Sequence, residues 1–171
     1  EVLIKALPSI LQLDKRVHFT LAGNSEPGGK HWYRENLERS LSAEQRTRVY
    51  LSGALNHENL PVLYCRSSLF LFPSLFENAP YSLLEAMAAR LPVLASNSSG
   101  INEIIKHNEN GLLFNPQDPQ DLIEKVKYAL TNYQQCCIMA ENAYEYLKQH
   151  HDPQKICAQT LEFYQKVIAG H

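Results

Sequence analysis

Residues 69–103 read LFLFPSLFENAPYSLLEAMAARLPVLASNSSGINE, and the order of residue types in this stretch decides the fold. Leu69, Phe70, Leu71 and Phe72 form a short apolar run that stops at Pro73-Ser74, the pattern of a buried strand bounded by a turn. A loop carrying Glu77 follows, and a helix is predicted from near Pro80 to about Arg90 with Glu85 on it. Pro92 to Ala95 gives a second buried strand that opens into a Ser/Asn/Gly loop. Strand, loop, helix and strand at this spacing make a βαβ unit, whose strands are parallel. Ligands of open parallel sheets sit outside the carboxyl ends of the strands, which is where Glu77 falls.

Toward the amino end, Val2 to Leu13 reads as an amphipathic helix with Leu3, Ala6, Leu7, Ile10 and Leu11 on one face. Val17 to Ala22 and Val49 to Ser52 read as strands, closed by Gly23 and Gly53. Between them, Asn24 to Lys30 (with Pro27-Gly28-Gly29) is a loop. His31 to Leu41 is a helix with Trp32, Leu37 and Leu41 inward. His57 to Arg66 is a helix with Leu60, Leu63 and Tyr64 inward, feeding the strand at Leu69. Toward the carboxyl end come a short helix over Ile101 to His107, a turn at Asn110-Gly111 and a last strand over Leu112 to Phe114. Helices then fill about 119–132, 134–149 and 153–169. Asp118-Pro119 and Asp152-Pro153 each set a capping acid before a first-turn proline.

This alternation predicts an α/β protein: one domain over 1–171, a doubly wound, Rossmann-like parallel sheet of about five to six strands, and C-terminal helices. A helix is a poor first element for such a fold. A preceding strand, ahead of Val2 in a longer polypeptide, is therefore expected.

Composition narrows the function. A chain of 171 residues with 44% hydrophobic and 20% charged content is long enough for a full globular core. A net charge of -2 gives no support for nucleic acid or an anionic membrane as the main partner. No apolar run approaches the roughly 20 residues that span a bilayer, so no transmembrane segment is expected. Cys65, Cys136, Cys137 and Cys157 are too few and too irregular for a disulfide framework or a zinc site. Reduced thiols and a cytoplasmic location are the expectation, with peripheral membrane association of the full-length protein compatible. The seven histidines show no metal-ligand spacing.

The start of the helix at Pro80 has the physics of an anion site, because its free amides and positive dipole end face the loop. Glu85 leans back toward that opening, and five residues of rise amount to about 7.5 Å. Glu77 lies on the other side. Two carboxylates flanking a positive helix end suit a ligand with a central diphosphate and a hydroxylated sugar on each side, since a carboxylate accepts two hydrogen bonds from a vicinal diol. A nucleoside diphosphate sugar has that layout. Two glutamates at this spacing on a helix are more often only a solvated face; their place at the end of a buried strand favours a site.

Glu77-x7-Glu85 within PSLFENAPYSLLEAMAARLPVLAS resembles the signature of the retaining GT-B glycosyltransferases of family 4, in their carboxyl-terminal, donor-binding domain. The resemblance extends over VHFTLAG, VYLSG, LYCRSSLFLFPS, NGLLFNPQD and the terminal helices. It implies one half of a GT-B fold and a donor that is a UDP- or GDP-sugar, with no metal and no cofactor. Glu77 would contact the donor hexose as the catalytic-site acid, and Glu85 the nucleotide ribose. Backbone amides of Asn78, Ala79, Tyr81 and Ser82 would hold sugar hydroxyls and phosphate. Gly23 and Gly53 would line the nucleotide pocket, and Ser99 and Gly100 the donor side.

The partner implied by the resemblance is an N-terminal, acceptor-binding domain of the same polypeptide, without which the chain would be inactive. Two features depart from the family pattern. Asn78-Ala79-Pro80 replaces its Gly-aromatic-Gly, and Pro80 has no amide to donate. The family's phosphate-binding Arg and Lys also have no counterpart, since Lys5, Lys15 and Arg16 do not match them. Glu103 reads equally as a helix cap or a ligand-side residue, and Tyr81 could pack between helices. The other readings are a sugar-nucleotide epimerase or glycogen-synthase-like GT-B enzyme, a non-catalytic α/β interaction module, and a flavodoxin-like regulatory domain.

Overall fold

Parallel pairing runs through the backbone of the computed structural model, which describes residues 1–23 and 32–170. Helix α1 (Val2–Leu13) leads into β1 (Phe19–Ala22), α2 (Trp32–Ser40), α3 (Ala43–Arg46) and β2 (Val49–Gly53). A single 3-10 turn over His57–Asn59 then enters α4 (Leu60–Arg66), followed by β3 (Phe70–Phe72), α5 (Tyr81–Ala88) and β4 (Val93–Ser96). The rest is α6 (Ile101–Ile104), β5 (Leu112–Phe114), α7 (Pro119–Thr131), α8 (Tyr133–His150) and α9 (Pro153–Ile168). The expected loop at Pro27-Gly28-Gly29, with His31 and the Trp32 side chain, lies outside the described residues.

The α/β class and the parallel strands are as expected; a single continuous ladder is not. The five strands form a two-stranded group, β1-β2, and a three-stranded group, β3-β4-β5. Phe19 pairs with Val49 in the first, and Leu94 with both Leu71 and Leu112 in the second. Side chains join the groups instead of backbone bonds. One core cluster takes Leu7, Ile10 and Leu11 of α1, Leu94, Leu112 and Phe114 of the second group and Leu122 of α7, with Phe19, Leu21, Val49 and Leu51 of the first packed on it.

The opposite face of β3 and β4 carries a second cluster: Tyr64, Leu83, Ala86, Met87, Val93, Ala95 and Ile101, with Phe70 and Phe72 against it. Alternate residues of a strand point to opposite faces, so Leu94 enters one core while Val93 and Ala95 enter the other. Helices thus cover both faces. The apolar run at Phe70–Phe72 is only half-buried, contrary to the reading of a fully buried strand. It forms the border of its group, whereas β4, laddered on both sides, is buried at every position.

Local signals set the boundaries. Leu3, Ala6, Leu7, Ile10 and Leu11 are all buried on α1, and Leu37 and Leu41 are core residues. Asp118 and Asp152 accept from the amides of Gln120 and Gln154, each at 2.9 Å, as capping acids should. The sequence reading passed over α3. It carries a full capping box between Ser42 and Gln45, and the buried Gln45 side chain donates to the Pro8 carbonyl at 2.8 Å. The guanidinium of Arg48, 8% exposed, donates to the carbonyls of Asp14 and Val17. Its Nε lies 3.1 Å from Glu44 Oε1, an ion pair by distance whose angle leaves that N–H without a hydrogen bond. Helix α9 buries none of its residues. Among the described residues no helix is long and apolar enough to cross a membrane, and all four cysteines are free thiols.

Candidate functional site

The residues singled out in the sequence gather at the carboxyl ends of the parallel strands. Gly23 ends β1 and Gly53 ends β2, both at positive φ, and the Gly23 amide donates to the Gly53 carbonyl at 2.9 Å. Among the described residues nothing lies within 4 Å of a Cβ added at either glycine.

The loops after β3 and β4 are tied together. Ser96, fully buried at the end of β4, donates its hydroxyl to the Ser74 carbonyl. Ser98 donates to the same oxygen at 3.1 Å, and the Ser74 hydroxyl donates to Glu77 Oε1 at 2.7 Å. The Glu77 amide reaches the Ser99 carbonyl at 3.4 Å. Gly100, at φ 81, lies so close behind Glu77 that a Cβ would fall onto the Glu77 carbonyl oxygen and 3.0 Å from its carbon. Glu77, Ser99 and Gly100 are therefore one constellation, its acid aimed by Ser74. Ser98 is a candidate from the sequence as a lining residue beside Ser99 and Gly100, whereas Ser74 and Ser96 leave no signal there, because bonds between residues so distant along the chain have no period.

Helix α5 opens at Pro80, which is buried and caps the helix without any side-chain bond. Its carbonyl accepts from the amides of Leu83 (2.9 Å) and Leu84 (3.1 Å). The Tyr81 amide is already spent on the Ala79 carbonyl at 2.9 Å, which corrects its expected role as a ligand donor: Pro80 forces a tight local turn that consumes that N–H. The Tyr81 ring does not pack between helices either; it is 73% exposed. Among the described residues no hydrogen bond engages the amides of Asn78, Ala79 and Ser82. These three remain available at the positive end of the helix dipole.

Glu85, one turn further on, meets two groups from other segments. Tyr64 donates its hydroxyl to Oε2 at 3.0 Å, and His57 Nε2 lies 3.3 Å from Oε1. Burial, and then the carboxylate itself, raise the Tyr64 pKa, so the phenol remains a proton donor. His57 belongs to the turn that follows Gly53, so Glu85 ties α5 to the end of β2. Glu77 and Glu85 have separate partners, one in the β3–β4 loop cluster and the other beside α4. Glu103 is exposed, and α6 begins at Gly100 without a side-chain cap bond.

Two clefts lie elsewhere. One of about 340 Å3 is lined by residues that include Asn97, His107 and Lys125. The other, about 450 Å3, runs between Thr20, Tyr50 and Ser52 of the strands and Asn59, Leu63 and Arg66 beside and on α4. Neither includes Glu77 or Glu85 in its lining. The strand ends instead present open amides and two partly exposed acids.

Comparisons with known proteins bear on the family and the fold. An uncharacterized glycosyltransferase of Methanocaldococcus jannaschii (MJ1607) is 30% identical over 164 residues, covering 96% of this chain and 40% of its own length. The crystal structure of Anabaena HepE (Alr3699) in complex with UDP and glucose superposes with a TM-score of 0.85 at 26% identity, over 96% of this chain and 44% of that one. The C-terminal domain of LpcC, a group 1 glycosyl transferase of Francisella tularensis, shares the fold at a TM-score of 0.79 and 21% identity, over 89% of this chain and 78% of that one. The chain thus spans less than half the length of the first two. The model of the family described as glycosyl transferases group 1 matches residues 1–146, and with fold and relatives in accord, the chain belongs to that family.

Proposed function

We propose that this chain is the donor-binding half of a retaining glycosyltransferase, which transfers a hexose from a nucleoside diphosphate sugar to a glycan or glycoconjugate acceptor. The observation that carries the reading is the start of α5. Three unengaged amides (Asn78, Ala79 and Ser82) lie between Glu77 and Glu85 in sequence, at a helix end with no capping side chain. A diphosphate gains from those N–H groups and from the dipole. The carboxylates would be repelled by phosphate but bind hydroxyls; the family resemblance then gives Glu77 the hexose and Glu85 the ribose. The bound UDP and glucose of the HepE relative support this class of ligand.

The same reading makes the helix end, and not a metal ion, the counter-charge to the diphosphate. It also leaves acceptor binding to an N-terminal domain of the full polypeptide, so the chain alone does not turn over. The test is titration with UDP, GDP and their sugars, up to millimolar, followed by protein NMR shifts. At least one nucleotide should shift residues 77–85 and 99–100, and Glu85→Ala should reduce the response. A folded chain with a flat response to all of them would instead favour a non-catalytic module.

A further inference from the structure

Glu85 is held by two groups of opposite character, neither from its own helix. Tyr64 is 8% exposed, its ring edge-on to Phe70 with centroids 5.8 Å apart, and Phe70 in turn stacks on Phe72. The phenol anchored in this way donates to Oε2 of Glu85. His57 covers Oε1, but its side chain is 84% exposed, so little packing holds it there. A carboxylate has about four lone-pair sites, so one phenol leaves it able to accept more. A glutamate on a partly exposed helix face otherwise samples many rotamers, and fixing it in advance lowers the entropy lost when a ligand binds.

Resting on the nucleotide-sugar reading, we propose that Tyr64 is a positioning residue for ribose recognition. Its hydroxyl pins Oε2 of Glu85, so that Oε1, covered by the removable His57 ring, is the oxygen that the ribose diol takes over. The anchor lies on α4 and the acid on α5, so the packing of these two helices sets the aim of Glu85.

Calorimetric titration of the chain with UDP and GDP and their 2′,3′-dideoxy forms tests this in three proteins: wild type, Tyr64→Phe and His57→Ala. Tyr64→Phe keeps the ring and removes the donor. It should weaken the preferred ribonucleotide about tenfold, the scale of a lost charge-assisted bond, and leave its dideoxy form unchanged. Equal weakening of both forms, or none, overturns the proposal. His57→Ala alters an exposed residue and keeps the test open should Tyr64→Phe fail to fold. It should tighten the ribonucleotide by about twofold to fivefold, the worth of an exposed side-chain pair, and an unchanged or weaker affinity refutes the exchange at Oε1. Wild type that discriminates against the dideoxy form while Tyr64→Phe behaves identically sinks only this inference. Wild type that binds neither form, or both alike, sinks the ribose role of Glu85 and this proposal with it.

Discussion

Substituting Gly100 by alanine tests the loop constellation directly. Gly100 has φ 81 and ψ -35 as the residue preceding α6, a conformation costing an L-residue about 1–3 kcal/mol. Its would-be Cβ lies on the Glu77 carbonyl oxygen and 3.0 Å from the carbonyl carbon, so strain alone cannot absorb the change. The β3–α5 loop must retreat, which removes the bond from the Glu77 amide to the Ser99 carbonyl, worth about 1 kcal/mol. Together these amount to about 3 kcal/mol, or about 10 °C in Tm for a chain of this size.

Gly23→Ala and Gly53→Ala are the controls. Both positions have positive φ, but among the described residues nothing stands within 4 Å of the added carbon, so each should cost only about 1 kcal/mol. The assay is urea unfolding with the midpoint and slope compared across the three variants, together with nucleotide titration. Gly100→Ala should lose the most stability and also weaken donor binding, because Glu77 moves with its backbone. A Gly100→Ala protein as stable as the two controls, with unaltered binding, would show that Gly100 and Glu77 are not in contact.

Three other outcomes follow from the same structure. Asp118→Ala should lower global stability by about 1 kcal/mol, because α7 carries the core residue Leu122; Asp152→Ala should fray α9, seen as lost helical ellipticity and faster amide exchange, with the urea midpoint unmoved, because that helix buries nothing. His107 Nδ1 accepts from the Leu113 amide at 2.9 Å, and burial, then the Lys125 charge, lower its pKa from 6.5. The folded state resists charging this ring, so its contribution is fully present above pH 6.5 and is lost as pH falls through the lower folded value. NMR titration of the ring should give a midpoint below 6.5, and a midpoint at or above it contradicts the geometry. Excess EDTA should leave nucleotide affinity unchanged, measured by calorimetry; a large loss would mean that a metal and not the α5 terminus meets the diphosphate.

Much of the fold was legible because its causes are local. The period of α1, the acids before Pro119 and Pro153, and the apolar runs at residues 69–72, 92–95 and 112–114 act within a few residues of themselves. Local physics also placed Glu77 and Glu85 beside the start of one helix. The Tyr81 amide, expected from the family resemblance to meet the ligand, is instead turned back onto the Ala79 carbonyl by the proline one residue earlier.

The sequence by itself determined the order of the five strands, the parallel α/β class and the two acids near the start of α5. Tertiary structure alone decided that Gly100 backs onto Glu77, that serines 74, 96 and 98 bind two loops together, that Tyr64 and His57 take the two oxygens of Glu85, and that the strands divide into two ladders. Each of these depends on where distant segments come to rest beside one another. A hydrogen bond between the hydroxyl of Tyr64 and the carboxylate of Glu85 forms only once α4 and α5 have packed against the same sheet face, and no pattern of neighbouring residues specifies that contact.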